Sequence, residues 1–229
     1  MRTIQALRRT MPPPSGTAEI RGVRIAVRCT SAERDLQIGG DWYLSMPLPG
    51  GGLLLAVGDA LGHGLAAASS MLRLRFAMTA LAAEGYPPAG ILGRLNDELC
   101  RTGPAAAASA IVAVYRPLTG ELVSARAGHP PALISDGEHT TTLGDAGGPL
   151  LGVVPGYAYR TTVRRVSPAD QLILYTDGLL RRGQTVDEWA AGAAVTVRQA
   201  GGDATALLHS VDYHACGDDA CLLIARLRP

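Results

Sequence analysis

The sequence predicts an α+β fold in which antiparallel sheets stack and helices cover them. Three observations predict it. Short apolar runs of strand length recur along the chain, several joined by tight turns. Helical patterns fall in two places only, one before and one after the central strands. No fixed-period repeat and no low-complexity linker divides the chain.

The elements follow in order. Residues 1–18 read as an N-terminal helix and linker, and 19–229 as one domain. Ile4, Leu7 and Met11 share a helical face that Pro12-Pro13-Pro14 brings to an end. That face could dock on the domain or pair with a second copy as a homodimer; an isolated helix this short is marginal, so a frayed linker is the other reading. Residues 23–27 alternate apolar and polar, as a half-buried strand does. Residues 53–57 form a buried strand between glycines. A helix over 65–83 has no internal Gly or Pro, and a second starts at Pro88, a residue suited to a first turn. Strands follow at 110–115, 122–127 and 132–135, with Asp136-Gly137 turning the chain into 140–143. Residues 157–166 and 171–175 read as strands, 186–199 and 204–209 as helices, and 221–225 as the last strand. Met46, Met71 and Met78 read as core filling.

Composition excludes several classes. A chain of 229 residues can bury roughly 70–75% of its extended surface, and 47% hydrophobic content argues against disorder. The formal net charge is +1 with mixed signs, and all 21 basic residues are Arg, so no basic face marks a nucleic-acid partner. One Phe and two Trp leave few rings for stacking bases. No apolar run reaches the ~20 residues of a membrane span, and the first residues lack a signal-peptide core. Cys29, Cys100, Cys216 and Cys221 form no CxxC pair. The expectation is a cytoplasmic protein with free thiols, no membrane contact and no nucleic acid.

Four acidic positions share one local grammar. Gly40-Asp41, Gly58-Asp59, Asp177-Gly178 and Gly217-Asp218 each put a carboxylate at the tip of a hydrophobic strand, beside glycine. Singly, each pair reads as a turn. Together, the carboxylates would repel one another and raise their own pKa values. Divalent cations such as Mn²⁺ or Mg²⁺, which favour oxygen ligands, relieve that repulsion, and two such ions can support displacement at phosphorus.

The longer strings resemble a family. They are residues 39–51, 58–75, Ala127-Gly128-His129-Pro130-Pro131, 148–153, 172–180 and Gly217-Asp218-Asp219-Ala220-Cys221. Together they look like the PPM-type metal-dependent serine/threonine phosphatases, in the branch of stage II sporulation protein E, over residues 20–227. The resemblance implies an αββα sandwich and hydrolysis of phosphoserine or phosphothreonine by metal-activated water. It implies two Mn²⁺ or Mg²⁺ ions, with Asp59 bridging them and the Ala60 carbonyl helping to hold one. Asp177 and Asp218 would hold the other, and Asp41 the second ion, directly or through water. The usual substrate in this branch is a phosphorylated regulatory protein, a STAS-type anti-sigma-factor antagonist. Leu44 stands where the branch usually has Asp, and residues 181–217 match none of its motifs.

Several roles stay open. Asp218 matches the family ligand; Asp219 would face solvent or hold a loop. His63 is a candidate acid for the leaving serine oxygen, or a structural residue of the Gly62–Gly64 turn. His129, between Gly128 and Pro130, reads as a loop-fixing residue. The rival functions are a catalytically weak regulatory module of the same fold and another two-metal phosphoesterase.

Overall fold

The computed structural model describes residues 15–32, 39–102, 107–144, 147–213 and 216–227. The expected helix with Ile4, Leu7 and Met11 lies outside them, as does His214. The strands are β1 (Ser15–Ile20), β2 (Val23–Thr30), β3 (Asp41–Pro47), β4 (Leu53–Ala60), β5 (Ala108–Arg116), β6 (Glu121–Ala127), β7 (Leu133–Ser135), β8 (Thr140–Thr142), β9 (Thr162–Arg165), β10 (Gln171–Tyr175) and β11 (Ala220–Arg226). The helices are α1 (Gly64–Ala83), α2 (Pro88–Thr102), α3 (Val186–Gln199) and the single turn α4 (Leu207–Ser210).

The strands form two sheets. One has six strands in the order β1-β2-β11-β10-β7-β8, the other five in the order β3-β4-β5-β6-β9. Every pairing between strands is antiparallel. The sheets stack, α1 and α2 cover the five-stranded sheet, and α3 with α4 covers the six-stranded one. This is the αββα sandwich.

Three buried layers explain the apolar runs. In β4, Leu53, Leu55 and Val57 face the space between the sheets, whereas Leu54 and Ala56 face the layer shared with Met71, Met78, Leu92 and Leu95 of the helices. In β11, Cys221, Leu223 and Ala225 point between the sheets, and Leu222 and Ile224 pack with Trp189 and Val197 of α3. Side chains alternate sides along a strand, so a strand covered on both faces loses its polar positions. β1 is exposed along most of its length, which is why its sequence gives no strand signal.

The structure departs from the sequence reading in three places. β1 puts Ser15–Ile20 inside the six-stranded sheet, so the folded domain includes residues before the expected boundary at 19. The strand expected over 157–166 is only Thr162–Arg165; Tyr159 instead turns inward, and its hydroxyl donates to the Pro149 carbonyl at 3.1 Å. The expectation of free thiols holds for Cys100 and Cys216 only. Cys29 and Cys221 are 192 residues apart in sequence, but β2 and β11 set them directly opposite each other and they form a disulfide. Among the described residues, no helix is long and apolar enough to cross a membrane.

Candidate active site

Asp41 opens β3 and Asp59 is the second-last residue of β4, and the antiparallel register makes them direct partners. The other sheet delivers its carboxylates to the same end. β10 ends at Tyr175 and runs into Thr176 and Asp177; Asp218 and Asp219 lead into β11. The Thr176 hydroxyl joins the two groups. It donates to Asp41 Oδ2 at 2.6 Å and accepts from the Cys221 amide at 2.8 Å. Thr176 is fully buried, so this cross-sheet bond is shielded from water.

Asp218 and Asp219 do different things. Asp218 is exposed, and its Oδ1 accepts from the Asp219 amide at 2.8 Å. Asp219 is buried and accepts two backbone amides, Ala32 at 2.8 Å and Gly40 at 2.6 Å. Of its two expected alternatives, solvent or a loop, Asp219 takes the loop. It grips both flanks of 33–38 and so fixes the approach to Asp41.

Glycine is required at two points here. A Cβ on Gly40 would run into the Ala60 carbonyl oxygen and stand 2.9 Å from Asp59 Oδ1. A Cβ on Gly178 would run into the Asp219 carbonyl oxygen. Bare backbone at Gly40 leaves the Ala60 carbonyl and the Asp59 carboxylate close together, and the Ala60 amide donates to the Gly40 carbonyl at 3.1 Å.

The electrostatics follow from this crowding. Burial pushes the Asp41 carboxyl well above the ordinary carboxylate range, and the Asp59 charge adds to it. Burial also raises Asp59, with Asp177 and Asp218 adding to the shift, while a hydrogen bond with Asp41 works against it; the outcome is about 6. Four carboxylates from two sheets therefore share one field.

This oxygen-only set suits a hard divalent cation, and the Gly40 cradle adds a backbone oxygen at Ala60. Among the described residues no three His, Cys, Asp or Glu side chains close on one point, so the carboxylates share a field rather than a single coordination point.

The histidines separate clearly. His63 is exposed at the head of α1, and its side chain makes no capping hydrogen bond. His129 is buried. Its Nδ1 lies 2.7 Å from Ser109 Oγ and its Nε2 lies 3.0 Å from the Tyr175 carbonyl oxygen. Burial lowers its pKa to about 3, so the ring is neutral at ordinary pH. It fixes more than its own loop, because Ser109 and Tyr175 belong to different sheets. The sequence reading passed over Thr176 and Ser109. For Thr176 there was a signal, since it is the polar residue that closes the apolar run 172–175.

Known proteins resemble this chain. The family model for stage II sporulation protein E (SpoIIE) matches residues 49–228. The phosphoserine phosphatase RsbU of Bacillus subtilis (strain 168) is 27% identical over 145 residues, which cover 62% of this chain and 43% of that protein. The solved RsbU and RsbW domains of Rv1364c from Mycobacterium tuberculosis match with a TM-score of 0.76 at 28% identity, over 94% of this chain and 61% of that one. RsbX, solved in complex with magnesium, matches with a TM-score of 0.69 at 18% identity, over 93% of this chain and 99% of that one. The chain thus spans less than two thirds of the length of the first two. The match over residues 49–228 includes Asp59, Asp177 and Asp218, and the chain belongs to the stage II sporulation protein E (SpoIIE) family.

Proposed function

We propose that this chain is a divalent-cation-dependent protein phosphatase that hydrolyses phosphoserine or phosphothreonine. The observation that carries the reading is the gathering of Asp41 and Asp59 from one sheet with Asp177 and Asp218 from the other, with Asp177 raising the cost of charge on both Asp41 and Asp59 and Asp218 adding to it at Asp59. The relation to a phosphoserine phosphatase supports the reaction class, and the magnesium bound by RsbX supports the choice of cation.

In this reading the site holds two Mn²⁺ or Mg²⁺ ions. Asp59, with the Ala60 carbonyl beside it, would help to hold both. Asp177 and Asp218 would help to hold one ion and Asp41 the other. When bound, such ions lower the pKa of water and neutralise phosphoryl oxygens. The chain's own contribution is placement. Thr176 orients Asp41, Asp219 holds the Gly40 backbone, and Gly40 and Gly178 leave room for the Ala60 and Asp219 carbonyls. His63, exposed beside the Asp59 turn, is the candidate proton donor to the departing serine oxygen.

We infer that the substrate is a phosphorylated regulatory protein, with a STAS-type anti-sigma-factor antagonist as the first candidate, by analogy with RsbU-type relatives. A homodimer belongs to the same reading. So does a cytoplasmic setting. The deciding experiment is release of phosphate from a phosphoserine protein with Mn²⁺, with Mg²⁺ and with EDTA. Turnover only with the cations is expected. Equal turnover of cation-stripped protein in EDTA would overturn the reading.

A further inference from the structure

The His129 ring spans the two sheets next to the carboxylates. It is 2% exposed. A carbonyl oxygen only accepts, so Nε2 carries the hydrogen that goes to Tyr175; in the neutral ring Nδ1 then accepts from the Ser109 hydroxyl. Both partners are placed by register. Ser109 sits on β5 directly opposite Asp59. Tyr175 is the last residue of β10, and the next two residues are Thr176, bound to Asp41, and Asp177. Arg126 Nη1 donates to the His129 carbonyl at 2.9 Å and fixes the backbone from which the ring projects.

We propose that His129 and Ser109 are positioning residues that set the spacing between Asp59 on one sheet and Asp177 on the other, and through it the affinity of the site for divalent cations. The proposal rests on the carboxylate-site reading above. Its physical basis is the shortness of the path. One ring and one hydroxyl link the strand position opposite Asp59 to the residue that precedes Thr176-Asp177. Functional constellations must be held to about 0.5 Å, and groups that orient metal ligands are typically worth about 10–100-fold in metal affinity. Ser109 is only half-buried, so loss of its hydroxyl perturbs packing little while cutting the link.

The test is calorimetric titration of Mn²⁺ into the full chain, paired with thermal melting in EDTA. Ser109→Ala and His129→Gln are each expected to weaken Mn²⁺ binding about tenfold or more. Ser109→Ala should melt within a few degrees of wild type, and its turnover should recover when Mn²⁺ is raised to saturation. Ser109→Thr keeps a hydroxyl and should bind Mn²⁺ like wild type. So should Ser124→Ala, which alters a buried serine of β6 in the same sheet. A purely structural role would instead lower melting temperatures and leave Mn²⁺ affinity alone. If wild type and Ser109→Ala bind Mn²⁺ equally, the spacer is overturned while the site reading stands. Should His129→Gln fail to fold, Ser109→Ala decides alone. If wild type takes up no Mn²⁺ at all, the site reading fails and the spacer with it.

Discussion

The Gly40 amide donates to Asp219 Oδ2 at 2.6 Å, and this bond ties the residue before Asp41 to the residue after Asp218. The other oxygen of the same carboxylate takes the Ala32 amide. Asp219→Ala leaves both amides without an acceptor, at about 1–3 kcal/mol for each group that stays buried. Asp219→Asn keeps one acceptor oxygen and turns an NH₂ toward the other amide, so it should lose part of this. Asp218→Asn removes an exposed charge that acts on Asp59 and should weaken Mn²⁺ binding with little loss of stability. Denaturant unfolding in EDTA and Mn²⁺ titration separate the two. Equal stability losses at 218 and 219 would contradict the division of roles.

Asp59 carries strain that its neutral analogue lacks. Its charge is disfavoured by burial and by Asp177 and Asp218. Asp59→Asn should therefore abolish cation-dependent turnover, yet melt at the same or a higher temperature than wild type in EDTA at pH 8. Wild-type rates on a phosphoprotein, or a clearly lower melting temperature, would count against the assignment.

The site was legible in the sequence where chemistry left a local mark. A carboxylate beside glycine at the tip of an apolar strand, met four times along the chain, marks Asp41, Asp59, Asp177 and Asp218 as candidates, although each alone reads as a turn. What joins them was not legible, because it depends on register between strands far apart in the chain. Nothing near Ser109 says that it lies opposite Asp59, and nothing near Cys29 says that it lies opposite Cys221. The fold followed the same rule. β4, β10 and β11 stand out as continuous apolar runs because both their faces are covered, whereas exposed β1 carries no pattern to read.

The crowded carboxyls should take stability from the cation-free protein as pH rises through their range. An unfolded Asp titrates near pH 3.9, and folded Asp59 titrates at about 6. The native state thus holds this proton more tightly than the unfolded chain. Its contribution is fully present below about pH 4 and is lost as pH climbs through about 6. Asp41 acts with the same sign. Asp136 and Glu188, lowered by backbone hydrogen bonds, act with the opposite sign at more acid pH, and buried His129, held at about 3, acts with the opposite sign up to the pH at which an unfolded imidazole titrates, about 6.5. In EDTA the melting temperature of wild type should therefore fall relative to that of Asp59→Asn between about pH 4.5 and 7. Saturating Mn²⁺ should flatten the slope, because the ion replaces the proton. A wild-type melting temperature that holds level with or rises against that of Asp59→Asn over that window would contradict the crowding.

His63 offers a test that separates chemistry from architecture. It stands exposed at the head of α1 with extended backbone, φ −142° and ψ 168°, four residues after Asp59, and its side chain does not cap the helix. A departing serine oxygen is strongly basic and gains from a proton in the transition state, an effect worth about 10²–10⁴-fold for a well-placed acid. The phenolate of p-nitrophenyl phosphate leaves readily without one. If His63 delivers that proton, His63→Gln should lower kcat strongly on a phosphoserine peptide and little on p-nitrophenyl phosphate, with Mn²⁺ affinity unchanged. If His63 only shapes the Gly62–Gly64 turn, the variant should disturb Asp59 and Ala60 just upstream. Both substrates would then slow by the same factor, and the Mn²⁺ concentration for half-maximal rate would rise with them. Parallel kcat measurements on the two substrates over a Mn²⁺ series distinguish the outcomes, and equal losses would remove His63 from the chemistry.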